Sequence, residues 1–444
     1  MKWTPDSWQK FPFKHQPVYP DDTKVQKVLA QLQKLPPLIF TGEIDSLEDQ
    51  IAQAGQGQRF ILQGGDCAER FIDCNEKAIK SKLKILLQMS VILTYGARVP
   101  VTRIGRIAGQ YAKPRSEEFE TSGEIRIPSY KGDLINGYEP SADSRMPDPE
   151  RLLQGYFYAG TTLNYIRAML KGGFADLHNP FQWNLHEIEK TSKWPEYKAF
   201  LNRILDSIDF IEALANTPIA TLNTVDFFTA HEGLVLNYEQ ALTRSTRQDF
   251  YNAGAHMLWI GERTRQLDGA HVEYFRGIRN PIGIKIGSLA AAETITELLK
   301  KLNPSNKWGR IVLITRFGAN KVKNTLPRII EAILQENLRV TWCCDPMHGN
   351  TIQSWDGQKT RNFQAIQSEI SQTFDIHREM GSYLGGIHFE LTGENVSECL
   401  GGAINLRDQD LQRNYQTWCD PRLNYAQSLE MAFLLAQKLK GGNV

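Results

Sequence analysis

No stretch of the 444 residues approaches the roughly 18 consecutive apolar residues of a membrane helix, so no spanning segment is expected. Cysteine is sparse. The six, at positions 67, 74, 343, 344, 399 and 419, show no CxxC or zinc-ribbon spacing, which argues against a disulfide scaffold or a local zinc module. Reduced thiols are the expectation. An excess of one charge is also missing: 51 basic residues face 50 acidic ones, unlike the basic surplus of a nucleic-acid binder. Met1–Pro20 is aromatic and polar and lacks the apolar core of a secretory signal, so a cytoplasmic location is expected and the sequon Asn395-Val396-Ser397 is read as unmodified. The common cofactor signatures are absent as well. There is no GxxxxGK[ST] phosphate loop, no GxGxxG turn and no GxSxG elbow, and His231-Glu232 lacks the second histidine of HExxH. These absences disfavour nucleoside triphosphatases, Rossmann dehydrogenases, serine hydrolases and zincins.

What is present is a series of short β-rich runs, each ending in polar functional groups. They are Arg59–Cys67, Pro100–Arg106, Phe174–His178, His256–Arg263, Ile282–Lys285, Arg310–Arg316, Arg339–His348 and Gly385–Glu390. Most segments between them read as helix. Eight strand–helix repeats with chemistry at the strand C-termini predict a (β/α)8 TIM barrel. With 41% hydrophobic residues, a large core is readily built. Residues 1–58 read as an N-terminal extension that covers the barrel, makes an oligomer contact or regulates. Within it Val25–Leu35 has helical spacing, stopped by Pro36-Pro37. Residues 59–444 form the barrel. Asp148-Pro149 and Gly172-Gly173 bracket a helix ending at Leu170. Residues of about 187–215, placed between the third and fourth predicted strands, read as an inserted helical segment, because that connection is longer than a barrel needs.

The clusters at the strand ends carry the chemistry. Gln63-Gly64-Gly65-Asp66-Cys67-Ala68-Glu69 closes the first strand, and its glycines allow backbone to approach a ligand. Cys67 can be a thiolate ligand, a nucleophile or a buried small hydrophobe. Arg103, Arg106, Lys113 and Arg115 crowd the end of the second strand; glycines and Pro114 interleave them, which favours an anion site over a solvated charged face. Glu262, Arg263 and Arg265 follow the fourth strand. Lys285 ends an apolar strand, where a lysine is costly unless it meets an anion, and Arg316 repeats the pattern on the next. Three neighbouring strands thus aim cations at one mouth. His348, Glu390 and Asp420, with Cys67, would make a mixed sulfur, nitrogen and oxygen site. Such a set suits Mn²⁺, Co²⁺, Fe²⁺ or Zn²⁺ better than Mg²⁺ or Ca²⁺. His388 alternates with Glu390 and is either core or functional.

Taken together, the strings Gln63–Glu69, Arg106–Ser116, Trp259–His271, Asp345–Thr351, Gly385–Gly402 and Cys419–Leu423 resemble the class II, plant-type 3-deoxy-D-arabino-heptulosonate 7-phosphate (DAHP) synthases. The resemblance spans nearly the whole chain, while the 117–128 loop looks locally variable. It implies a barrel enzyme that condenses phosphoenolpyruvate with D-erythrose 4-phosphate and water to give DAHP and phosphate, opening the shikimate pathway to aromatic amino acids. It implies a divalent metal, Mn²⁺ or Co²⁺ with Zn²⁺ or Fe²⁺ as alternatives, on Cys67, His348, Glu390 and Asp420. Phosphoenolpyruvate would be held by Arg106, Glu262, Arg263, Lys285 and Arg316, and erythrose 4-phosphate by Lys113, Arg115 and Ser116. Lys285, Glu262 and Arg106 are the expected catalytic groups. Glu262 and a metal-bound water are the candidates to deprotonate the attacking water, and Lys285 could move a proton. A homo-oligomer, dimer or tetramer, and feedback by aromatic amino acids are further expectations, as is a disulfide between Cys67 and Cys419 under oxidation. A paralogue catalysing the same condensation in a secondary-metabolite branch, a non-catalytic barrel and a different metal-dependent aldolase are the competing readings.

Overall fold

The computed structural model describes residues 2–115, 117–122, 125–174, 189, 194–215, 225–246 and 248–440. Eight parallel strands close into a barrel: β1 Phe60–Gly65, β2 Val101–Arg106, β3 Phe228–Glu232, β4 Met257–Ile260, β5 Ile282–Gly287, β6 Ile311–Arg316, β7 Thr341–Cys344 and β8 Leu384–Glu390. Each strand pairs with its sequence neighbours, and β8 returns to β1. Such strands are buried on both faces, which is why β5 and β6 read as continuous apolar runs.

Seven of the eight predicted strands coincide with barrel strands, and the third does not. Phe174 lies in a turn, residues 175–178 fall outside the described residues, and the third barrel place is taken by Phe228–Glu232. The run Phe228-Thr229-Ala230-His231-Glu232 is short, and its His-Glu ending draws attention as a failed protease motif before it is seen as a strand end. One consequence is that the inserted helical segment lies between β2 and β3, not between the third and fourth strands. Of it, Trp194–Ala215 is helix.

The major helices are α1 Asp22–Lys34, α2 Thr41–Gly55, α3 Glu76–Ala97, α4 Glu150–Lys171, α5 Trp194–Ala215, α6 Ala292–Leu302, α7 Val322–Gln335, α8 Phe363–Glu379 and α9 Tyr425–Lys440. Helix α1 starts three residues before the apolar periodicity, because Asp21 Oδ1 accepts the N–H groups of Thr23 and Lys24. The N-terminal extension is tied to the barrel at both ends. Trp3 donates its indole N–H to the Glu273 carbonyl at 2.9 Å. Helix α2 lies across the N-terminal ends of the strands, where Leu47, Ile51 and Ala54 join Ile61, Ile104, Ala230, Met257, Val312 and Ile314 in one cluster. The extension thereby seals the barrel floor and leaves the opposite mouth for ligands.

Ile51 is fully buried in that cluster. Ile51→Ala is expected to lower the unfolding free energy by about 2–5 kcal/mol, read from urea denaturation. A loss under about 0.5 kcal/mol, typical of surface changes, would show that α2 does not complete the core.

Candidate active site

Parallel closure puts all eight strand C-termini on one rim. At the β8–β1–β2 junction the register aligns Glu390, Gly65 and Arg106 side by side. Gly65 has φ +146° and its missing Cβ would sit 2.5 Å from the Arg106 carbonyl oxygen. Only a glycine fits there, and its absence of side chain lets Arg106 Nη1 reach Glu390 Oε1 at 3.3 Å. Arg106 also donates to the Cys67 carbonyl at 2.9 Å and contacts His388 Nε2 at 2.8 Å. His388 is therefore an interior partner of Arg106, with its ring edge-on to Trp259. Burial and the Lys285 charge hold it neutral, well below the usual imidazole range.

The four expected metal donors come together. Ligand atoms of Cys67, Glu390 and Asp420 all lie within 4.8 Å of one another. His348 Nε2 is 3.1 Å from Glu390 Oε1, and its Nδ1 is 2.7 Å from Asp345 Oδ2. That carboxylate–imidazole contact fixes the ring with Nε2 toward the donors, the arrangement usual behind a metal-binding histidine. Burial pushes the Glu390 carboxyl up, but His348, Arg361 and Arg106 hold it well below the usual range. Asp420 is likewise held down, by Lys113 first among its charged neighbours, against burial.

These donors suit a divalent cation. They offer one thiol, one imidazole and two carboxylates, and both Glu390 oxygens are buried without a directed hydrogen bond among the described residues. The Lys113 ammonium sits against both Cys67 Sγ and Asp420, so positive charge is already favoured between them. All six cysteines are free. Burial pushes the Cys67 thiol up, while its hydrogen bond draws Cys419 down to about 7.

The remaining cations line a cavity of about 530 Å³ beside the donors, with Lys113, Arg115, Arg263, Lys285 and Arg316 in its wall. Burial lowers Lys285 from the usual lysine value, against the pull of Asp345 at 3.1 Å. The ring of Trp259 lies under both Arg106 and Lys285, at 5.2 and 5.4 Å from its centroid. Arg316 Nε is buried without a hydrogen-bond partner among the described residues. Arg263 donates to the Pro114 carbonyl at 3.1 Å, tying the segment after β4 to the loop after β2. Arg115 pairs with Glu120 at 3.4 Å. Ser116 lies outside the described residues.

Glu262 is placed at the mouth, but its carboxylate is fully engaged. It takes two bonds from Arg265, at 2.7 and 3.0 Å, and the Gly287 N–H at 2.7 Å. Its evident work is to join the β4 and β5 loops. Several site residues escaped sequence reasoning. Arg361, wholly buried, meets Glu390 Oε2 at 2.7 Å from the hairpin Thr351–Gln353/Lys359–Arg361, which is not a barrel strand end. Lys359 of that hairpin reaches Asp420 at 2.9 Å. Glu232 ends the unrecognised strand β3 and lines the cavity. Asp345 had a signal available, a carboxylate three residues before a histidine.

Fold and site define the class: an α/β barrel whose C-terminal mouth joins a mixed-donor cluster to a cation-lined cavity. The chain belongs to the class-II DAHP synthetase family, whose model matches residues 3–436. It is 47% identical over 98% of its length to a phospho-2-dehydro-3-deoxyheptonate aldolase of Neurospora crassa, covering 94% of that protein. A protein of the same name from Streptomyces coelicolor is 44% identical, with 97% of this chain and 96% of the relative aligned. Among solved structures, the phospho-2-dehydro-3-deoxyheptonate aldolase (DAHP synthase) of Thermotoga maritima aligns with 80% of this chain and 69% of its own. That match is at 13% identity and a TM-score of 0.31, so the fold rests on the strand order above. Membership makes the chain an enzyme of carbon–carbon bond formation. No helix among the described residues is long and apolar enough to cross a membrane.

The donor cluster depends on an ionic strap behind it. Arg422 bonds Asp66 at 2.6 Å and Glu398 at 2.6 Å, joining the residue before Cys67 to the loop that carries Asp420. Lys82 closes on Asp66 from α3. Arg422→Ala leaves buried Glu398 without its cation and Asp66 with Lys82 alone, so stability is expected to fall by about 3–5 kcal/mol in denaturant titration. A change below about 1 kcal/mol, the scale of an exposed pair, would mean that the strap is solvated.

Proposed function

We propose that this enzyme condenses phosphoenolpyruvate with D-erythrose 4-phosphate and water to give DAHP and inorganic phosphate, the first step of the shikimate pathway, and that it does so with a divalent metal. The observation that carries the reading is the adjacency of the Cys67, Glu390, Asp420 and His348 donors to a cavity walled by Arg263, Lys285 and Arg316. Two phosphates and a carboxylate need that many cations, and a simple aldolase would not.

In this reading Cys67, His348, Glu390 and Asp420 hold the metal, Mn²⁺ or Co²⁺ in preference to Zn²⁺ or Fe²⁺. Once bound there, it supplies Lewis-acid polarisation of the aldehyde. Arg106, Lys285 and Arg316, with Arg263, hold the phosphate and carboxylate of phosphoenolpyruvate, and Lys113 and Arg115 receive the second phosphate. Glu262 acts by fixing Arg265 and the β5 loop. In this reading Lys285, lowered by burial and held against Asp345, protonates the oxygen of the former aldehyde. Fixed donors around the cavity stabilise developing anionic charge without reorganising.

The test couples phosphoenolpyruvate loss to phosphate release, with erythrose 4-phosphate present or omitted, on chelator-stripped protein and after Mn²⁺ or Co²⁺ is restored. Turnover needing both aldehyde and metal is expected. Phosphate release from well-folded, metal-loaded protein without the aldehyde, or none with it, refutes the reaction. Cys67→Ser is expected to lower metal content by elemental analysis together with activity. A metal-replete, fully active variant removes Cys67 from the ligand set.

A further inference from the structure

Arg316 ends β6 in the wall of the cavity, and its buried Nε has no hydrogen-bond partner among the described residues. Its aim therefore depends on the backbone that carries it. The β5–β6 ladder stops at this residue, opposite Gly287. The next two N–H groups, those of Phe317 and Gly318, both go to one oxygen, Glu369 Oε1 on α8, at 2.9 and 2.8 Å. Glu369 Oε2 accepts from Asn350 Nδ2 at 2.7 Å, in the loop after β7. Asn350 Oδ1 accepts the following N–H, that of Ala319, at 3.0 Å. Three successive donors after Arg316 thus end on two side chains that bond each other. The backbone has no slack at Gly318, which has φ +88° and whose missing Cβ would sit 2.6 Å from the Gly349 carbonyl oxygen.

Glu369 is only 1% exposed. Burial, with Asp345 nearby, pushes its carboxyl up to about 7, against the Gly318, Phe317 and Asn350 donors that hold it down. A buried carboxylate costs stability that an apolar side chain would not, so its presence points to work beyond packing. The β7 loop has holds of its own. Asp345 Oδ1 accepts the Met347 and His348 N–H groups at 3.1 and 3.2 Å, and Asn350 also donates to the Pro346 carbonyl at 2.8 Å. What Glu369 adds is the hold on the segment that follows Arg316. We propose that Glu369 is a positioning residue for phosphoenolpyruvate, fixing the end of β6 so that the Arg316 guanidinium is aimed at the bound anion. The inference rests on the reaction proposed above, in which Arg316 holds that substrate. A glutamine does not replace the carboxylate. It keeps an oxygen for the Phe317 and Gly318 donors but turns an N–H toward the Asn350 amide, whose oxygen is already taken by Ala319.

The experiment is a double-mutant cycle on full-length, metal-loaded enzyme: wild type, Glu369→Gln, Arg316→Ala and the double variant. Calorimetric titration with phosphoenolpyruvate reads affinity at mildly alkaline pH, where Glu369 is ionised, and elemental analysis reads the metal. Glu369→Gln is expected to weaken phosphoenolpyruvate binding about tenfold or more with metal content unchanged. Its KM for phosphoenolpyruvate rises in step, while that for erythrose 4-phosphate stays within about twofold. In the Arg316→Ala background the same change is expected to cost no more than about twofold, because the group it aims is gone. Should Glu369→Gln not fold, Gly318→Ala takes its place with the same expectations, since it keeps the carboxylate but displaces the backbone that bonds it. Unchanged affinity, an equal loss in both backgrounds, or a fall in metal content that accounts for the loss would each overturn the assignment. Wild-type enzyme that does not bind phosphoenolpyruvate, or Arg316→Ala that binds it as wild type does, would remove the role of Arg316 itself and the inference with it. That failure is visible before Glu369 is changed.

Discussion

Glu390 is a carboxylate with no exposure to solvent, and the site is organised around keeping it charged. Arg361, Arg106 and His348 surround it at 2.7, 3.3 and 3.1 Å. Removing a carboxylate from water costs several kcal/mol, so such an ion persists only where the surrounding charges are held in place. Each partner is held by a different element: Arg106 by β2, His348 by Asp345 after β7, and Arg361 by the hairpin that follows. The barrel wall supplies the rigidity, and Gly65 supplies the space through which Arg106 reaches across β1.

The same logic extends outward in pairs. Asp345 serves both Lys285 and His348, so the cation cavity and the donor cluster share one carboxylate. Arg422 serves both Asp66 and Glu398, which brings the loop carrying Asp420 against the end of β1. Glu262 serves Arg265 and the β5 backbone. The mouth is therefore a network in which most charges have assigned partners. Among the atoms there with no hydrogen-bond partner among the described residues are the buried Nε of Arg316 and the enclosed Oε1 of Glu232. Buried donors and acceptors left unmatched are costly unless a ligand completes them.

The extension before the barrel contributes in another way. By laying Leu47, Ile51 and Ala54 over the strand N-termini, α2 fills the floor with apolar side chains. Polar groups are thus confined to one end. A barrel sealed at its base and charged at its mouth binds its ligands where strand ends and loops can position them.

Much of this was legible along the chain. Strands β5 and β6 announce themselves as buried apolar runs capped by Lys285 and Arg316, because a cation at the end of such a run has to meet an anion. Cys67, His348, Glu390 and Asp420 stand in strings specific enough to name the family, and the fold brings all four to one place. Other features had no local signature. The third strand was misplaced at Phe174 because Phe228–Glu232 is short and sits beyond a long helical insertion. Glu232 was missed with it, since a carboxylate acquires meaning only when a strand delivers it to the mouth. Arg361 lies on a hairpin away from any strand end, and nothing in its neighbours reveals the buried carboxylate it meets. Glu262 looked catalytic from its motif, yet its oxygens are spent on Arg265 and a backbone N–H. The sequence by itself determined which residue types stand at the ends of most strands, because periodicity and cost of burial act locally. Only the tertiary structure decided which of those charges are paired and which stay open, because pairing is a property of distances between residues far apart in the chain.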